Sequence, residues 1–195
     1  MSRRKFSRPL GKRRYKQLFV ISAEGIVTEP GYFSMFNDDT TVLKVSIVKN
    51  KGSAPGKVLK QMEGFLKNCP LSAKDEAWIV VDKDRWSDTQ LGALYSWSIT
   101  NKQYGLAVSN PKFEFWLLLH FEDGADIQSS QSCSDKLFHH LPDYDKAIQP
   151  NKLKPYINEA IVRAEMKDQP LCHDWPRNTG TTVYRLVKSI IAGSL

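Results

Sequence analysis

Asp82-Lys83-Asp84 follows directly on the apolar run Ala77-Trp78-Ile79-Val80-Val81, and Glu24 follows a second apolar run, Leu18 to Ile21, after Ser22-Ala23. Carboxylates in such places hold hard divalent cations or move protons. In extended backbone residues i and i+2 point the same way, so Asp82 and Asp84 could reach one ion together. A continuous apolar run reads as a strand covered on both faces, as inside a parallel sheet. Such sheets bind ligands outside the carboxyl ends of their strands, where these acids would lie. A polar turn closing a buried strand accounts for the same residues without chemistry.

If the two strands are parallel and close, Glu24, Asp82 and Asp84 converge on one edge. Three carboxylates within about 6 Å repel pairwise by ~3 kcal/mol at an effective dielectric near 20. A helix start offsets only ~0.3–1 kcal/mol of that. Either the acids are spread apart or a divalent cation holds them, and hard oxygen ligands with no Cys or His nearby in sequence point to Mg²⁺ or Mn²⁺. Glu29 is a further candidate, or simply a first-turn acid that suits a helix dipole. Glu114, in Pro111-Lys112-Phe113-Glu114-Phe115-Trp116, is a carboxylate among aromatics. It requires a partner there: metal or substrate on a functional reading, a lysine or arginine on a structural one. His120 reads as a hydrogen-bonded core histidine.

The elements that must position these groups follow from pattern. Residues 17–22 form a first strand, and Gly25 permits a tight turn. Thr28-Glu29-Pro30 opens a helix with Thr28 as its cap. Residues 41–48 form a second strand, followed by a loop to Gly56. Ser53 is a candidate cap for a helix burying Val58, Leu59, Met62, Phe65 and Leu66. The strand ending at Asp82 is the third, Ser87-Asp88 opens a helix, and residues 103–109 are the fourth strand. An apolar helix spans Phe113 to Phe121. Residues 122–150 read as a long loop with a short helix over 135–141, and two helices, around 153–164 and 183–191, close the chain. Asn178-Thr179-Gly180-Thr181 reads as the capped start of the last helix. This order predicts an α/β fold: a mainly parallel sheet of about four strands flanked by helices, with a helical C-terminal part. The division is an arm over 1–16, an α/β core over 17–121, and a loop and helical part over 122–195 packed on that core.

At 195 residues the chain is long enough for a real core. No window approaches the ~18 apolar residues of a membrane span, and Leu18 to Ile21 is too short for a secretory segment, so the expected compartment is the cytoplasm. The net charge of +7 is unevenly placed. Residues 1–16 carry eight bases (Arg3, Arg4, Lys5, Arg8, Lys12, Arg13, Arg14, Lys16) and no acid, leaving 7 − 8 = −1 elsewhere. Such an arm binds nucleic acid through phosphates, or merely solubilises. Cys69, Cys133 and Cys172 show neither disulfide nor metal-ligand spacing, and His139-His140 with Cys172-His173 makes a poor zinc set.

The stretch from Ser22 to Phe33 (Ser-Ala-Glu-Gly-Ile-Val-Thr-Glu-Pro-Gly-Tyr-Phe) resembles the opening signature of the RloB-like family. The likeness continues in Val81-Asp82-Lys83-Asp84, in the segment from Ser109 to Phe121, and in Asn178 to Tyr184, so it covers residues 17 to about 190. The resemblance implies a divergent Toprim-type fold with Glu24 after the first strand and Asp82 and Asp84 after the third. It implies aspartates that hold Mg²⁺ and a glutamate that does acid/base work or adds a ligand. It further implies a nuclease on RNA, tRNA among them, or on DNA, acting as a bacterial antiphage effector beside an ABC- or AAA-type ATPase. Lys83 between the aspartates softens the local charge and leaves the number of metal ions open. Two other readings stay open on the residues alone. One is a different Asp-x-Asp enzyme, a nucleotide-sugar transferase or phosphatase; the other is a non-catalytic module that binds nucleic acid or an ATPase.

Overall fold

The computed structural model describes residues 17–37, 43–48, 54–83 and 86–194. Four strands, β1 (Gln17–Ala23), β2 (Leu43–Val48), β3 (Glu76–Asp82) and β4 (Tyr104–Asn110), run parallel in the order β2-β1-β3-β4. A two-residue β5 (Gly180–Thr181) pairs antiparallel with the end of β4. The expected α/β class and parallel sheet are present. Asn178 to Thr181, read as a helix start, instead supplies this edge strand, and Thr181 Oγ1 still accepts from the Val183 N–H at the start of the last helix.

Side-chain alternation explains why the strands read as unbroken apolar runs. Phe19, Ile21, Ala23, Val80 and Ala107 face one core; Val20, Ala77, Ile79, Val81, Leu106 and Val108 face the other. The second core is closed by α2 (Pro55–Asn68) through Val58 and Met62, and by α3 (Asp88–Ser98) through Leu91 and Leu94. The first is closed by α1 (Thr28–Ser34), α4 (Phe113–Leu118), α5 (Ser130–His140), α7 (Ile157–Lys167) and α8 (Val183–Ser194). With helices on both faces, neither set of strand residues meets water.

Local differences from expectation have local causes. Thr28 lies inside α1 rather than capping it; Val27 holds the cap position, and the Thr28 hydroxyl bonds Tyr144 Oη and the Lys146 carbonyl. Ala54 caps α2, and Ser53 lies outside the described residues. The apolar helix stops at Leu118, where Arg163 donates to the Leu119 carbonyl at 2.6 Å. α5 starts five residues early because Ser129 and Ser132 form a reciprocal capping box. The helix expected over 153–164 is broken by Pro155 into α6 (Pro150–Leu153), a short 3-10 turn (Lys154–Tyr156) and α7.

His120 is fully buried, edge-on to Tyr32 and Trp116. Nδ1 meets the Trp116 carbonyl at 3.0 Å, so Nδ1 carries the proton and Nε2 accepts from the Tyr32 hydroxyl at 3.2 Å. It is a core histidine, as its setting predicted. Burial holds the imidazole down to about 4. The unfolded chain takes up a proton near pH 6.5, so between these values the unfolded state binds more protons and stability rises with pH. Resistance to urea unfolding is expected to fall as pH drops from 6.5 toward 4, by up to ~1.4 kcal/mol per unit. In His120→Gln that limb shrinks; an unchanged limb would remove His120 as its source.

Candidate active site

The strand order reverses between β1 and β3: β1 leads to β2 on one side, and the chain then returns to lay β3 and β4 on the other. In open parallel sheets this switch point leaves a crevice at the carboxyl ends, where ligands bind. Glu24 and Asp82 are the residues at that point. The Glu24 N–H donates to the Val80 carbonyl at 2.9 Å, carrying the β1–β3 ladder one residue past the strand. The Glu24 side chain turns onto the end of β3, where Oε2 accepts from the Asp82 N–H at 3.3 Å and from the Trp86 indole N–H at 2.9 Å. The Lys83 N–H donates to the Ser109 carbonyl and fixes the β3–β4 side of the same edge.

Glu29 belongs to this edge as well. It lies in the first turn of α1, 5 % exposed, and Oε1 accepts from the Gly25 N–H at 3.0 Å. A Cβ on residue 25 would collide with Glu29 Oε2 and stand 2.7 Å from Oε1, so glycine here serves close approach. Burial pushes the Glu29 carboxyl up, backbone N–H bonds pull it back, and the charges of Glu114 and Glu24 push it up again. Glu114 opens α4, where Tyr144 Oη reaches its Oε1 at 3.4 Å and Thr28 Oγ1 at 3.1 Å. Among the described residues its hydrogen-bond partner is thus a phenol rather than the lysine or arginine of the structural reading. Burial, and then the Glu114 charge, hold the Tyr144 phenol well above its ordinary value, so it stays a donor.

Four of the five candidate acids therefore lie at one end of the sheet: the Glu24 carboxylate accepts from the Asp82 backbone N–H, Glu29 accepts from the Gly25 N–H, and Glu114 is reached by Tyr144, which also bonds Thr28 beside Glu29. Asp84 lies outside the described residues, as do all eight bases of the arm, Arg3, Arg4, Lys5, Arg8, Lys12, Arg13, Arg14 and Lys16. Among the described residues no group of three or more His, Cys, Asp or Glu side chains is spaced to hold a metal ion. The donors present are carboxylates, the set that suits Mg²⁺, and Mg²⁺ commonly takes only one or two protein carboxylates besides water and substrate phosphate. The cysteines are free thiols, and Cys133 is buried in the core.

Arg163 and Arg177, the arginines of the C-terminal part that could contact phosphate, are otherwise engaged. The first closes the end of α4, and the second pairs with Asp174 and lies 4.3 Å over the Trp175 ring. Pattern reading missed Trp86, Tyr144 and Thr28. A half-buried indole N–H demands an acceptor, but sequence does not say that the acceptor stands sixty-two residues upstream.

No helix among the described residues is long and apolar enough to cross a membrane. Searches of curated proteins and of solved structures each returned no match. The family model described as RloB-like protein matches residues 19–190, which contain every motif and every edge residue named above, and the chain belongs to that family.

Proposed function

We propose that this protein is a metal-dependent endonuclease that cuts RNA, tRNA included, or DNA, and serves as the toxic effector of a bacterial antiphage system under the control of an ATPase partner. The observation that carries the reading is the Glu24 carboxylate turned onto the end of β3 at the switch point of the sheet. Asp82 and Asp84 would hold Mg²⁺ or Mn²⁺, which polarises a phosphodiester and eases departure of the leaving oxygen. Glu24 takes the proton of the attacking water as the new P–O bond forms, and the old P–O bond breaks toward the leaving oxygen, which takes a proton from solvent water while Glu24 returns its own to solvent. Trp86 keeps the Glu24 carboxylate aimed at that position. Glu29 and Glu114 enlarge the negative field that attracts the cation.

Purified full-length chain is expected to degrade tRNA or plasmid DNA in millimolar Mg²⁺ or Mn²⁺ and to stop in excess chelator. Asp82→Asn and Asp84→Asn are each expected to be inactive. Cleavage that survives chelator and both substitutions rules out the site.

A non-catalytic module is the second reading, favoured by the protein N–H donors that Glu24 and Glu29 already accept, as acids of a structural network would. Thermal melting separates the two. A cation that binds the folded state alone raises its stability, so a melting point indifferent to millimolar Mg²⁺ supports the module.

A further inference from the structure

An edge that gathers Glu24, Glu29, Asp82 and Glu114 repels the phosphates it would have to receive. A substrate therefore needs a protein cation at that edge whose charge is not already spent on a carboxylate. Lys83 is partly spent, since its Nζ stands 3.6 Å from Asp88 Oδ1. Arg177 is fully spent in a two-pronged pair with Asp174. Lys136 is paired with Glu122 at 3.3 Å.

Lys112 differs from all three. It stands two residues beyond the end of β4, with extended backbone (φ −155°, ψ 169°), at the cap position of α4 and two residues before Glu114. Its Nζ donates to a neutral hydroxyl, Ser134 Oγ on α5, and among the described residues no carboxylate pairs with it. The side chain is half-buried, so its position is fixed before any ligand arrives. Its neighbourhood is set by the end of β4. Ser109, three residues before Lys112, stands opposite Asp82 in the β3–β4 register, and its carbonyl accepts from the Lys83 N–H. Lys112 thus leaves the sheet at the same carboxyl end as Asp82.

We propose that Lys112 is a phosphate-binding residue that holds the sugar–phosphate backbone of a nucleic acid against the Glu24/Asp82 edge, separately from the N-terminal arm. The proposal deepens the nuclease reading and rests on it. A lysine binds phosphate as a point charge, so it positions backbone without reading sequence. Its signature is counterion release, with each phosphate contact adding about 0.7 (single strand) to 0.9 (duplex) to the slope of log affinity against log salt.

The test is fluorescence anisotropy of the full chain with labelled single-stranded RNA and with duplex DNA, in chelator so that nothing is cut. Lys112→Ala is expected to lower the salt slope by about one phosphate contact and affinity roughly three- to tenfold at moderate salt. Lys112→Arg restores both. Lys112→Gln, which keeps the stem and a donor for Ser134, repeats the loss and guards against a folding defect in the alanine variant. Lys136→Ala leaves the slope unchanged. An unchanged slope in Lys112→Gln overturns the contact, as does a wild-type chain that binds neither nucleic acid. If the slope depends on Lys112 but Mg²⁺ elicits no cleavage, the catalytic reading fails while the contact stands. If the chain cleaves and the slope ignores Lys112, only the contact fails.

Discussion

Glu24→Gln is expected to fold as the wild type does and to lose at least about 10³-fold in metal-dependent cleavage, ~4 kcal/mol of barrier. The amide keeps the size of the side chain and an oxygen that can still accept from the Trp86 indole and the Asp82 N–H. It removes the negative charge and the capacity to take a proton, the two properties the reaction asks of this position. Trp86→Phe separates orientation from chemistry. It leaves the carboxylate in place but removes the 2.9 Å bond that aims it, and an outer partner of this kind typically contributes 10–100-fold. Trp86 acts as a positioning residue. Its loss should lower the maximal rate while leaving the Mg²⁺ concentration for half-maximal rate unchanged, and should move the acid limb of the pH–rate profile, a limb that Glu24→Gln abolishes. Equal losses in both variants, with that limb unmoved in Trp86→Phe, would show that Trp86 supports the fold rather than the glutamate. Loss of Glu24 without effect on cleavage would dismiss the edge as a catalytic centre.

What the sequence disclosed about this edge and what it withheld divide along a physical line. Apolar runs ending in acids are visible because each strand is buried on both faces, so Phe19 to Ala23 and Ala77 to Val81 carry no polar interruption other than Ser22. That placed Glu24 and Asp82 at strand ends. It could not supply strand order, which depends on how far the connections between strands reach around the sheet. The adjacency of β1 and β3, and with it the 3.3 Å contact between Glu24 and Asp82, came only with the fold. Tyr144 is harder still. It sits in a polar stretch with no period to read, yet it touches Thr28 and Glu114, 116 and 30 residues away. The start of α3 was legible at Ser87-Asp88, where the Ser87–Gln90 box is local, but the equally local Ser129–Ser132 box of α5 was not, because it lies in a polar stretch without a clear period. Capping was read poorly where a distant group competed, as when Thr28 turned its hydroxyl to the loop around Tyr144 and Lys146. Lys112 stood in a recognisable motif, but only the neutrality of Ser134 separates it from any other lysine.

The part of the chain with no assigned chemistry contains a dense polar network around Asp168, and a second large effect is expected there. Asp168 ends α7 with its side chain 5 % exposed. Oδ1 accepts from the Cys172 N–H at 3.0 Å; Oδ2 accepts from Tyr184 Oη at 2.8 Å and Arg185 Nη2 at 2.6 Å. The same guanidinium nitrogen donates to the Cys172 carbonyl, so the loop after α7 is tied to α8. Burial alone would push the Asp168 carboxyl up, but the donors from Cys172, Tyr184 and Arg185 outweigh it and hold it below its ordinary value. Asp168→Ala leaves a partly buried guanidinium and a phenol without their acceptor. The expected cost is about 3–5 kcal/mol, a fall in melting temperature of roughly 10 °C for a chain of this size. Asp168→Asn retains an acceptor and should cost less. Because the folded carboxyl is depressed, its contribution is present above the unfolded value near 3.9 and is lost as pH falls through the lower folded value. The stability gap between wild type and Asp168→Asn should therefore be widest at neutral pH and close below about pH 4. A gap that holds constant with pH would mean that shape and hydrogen bonding, rather than the carboxylate charge, bind the loop to α8.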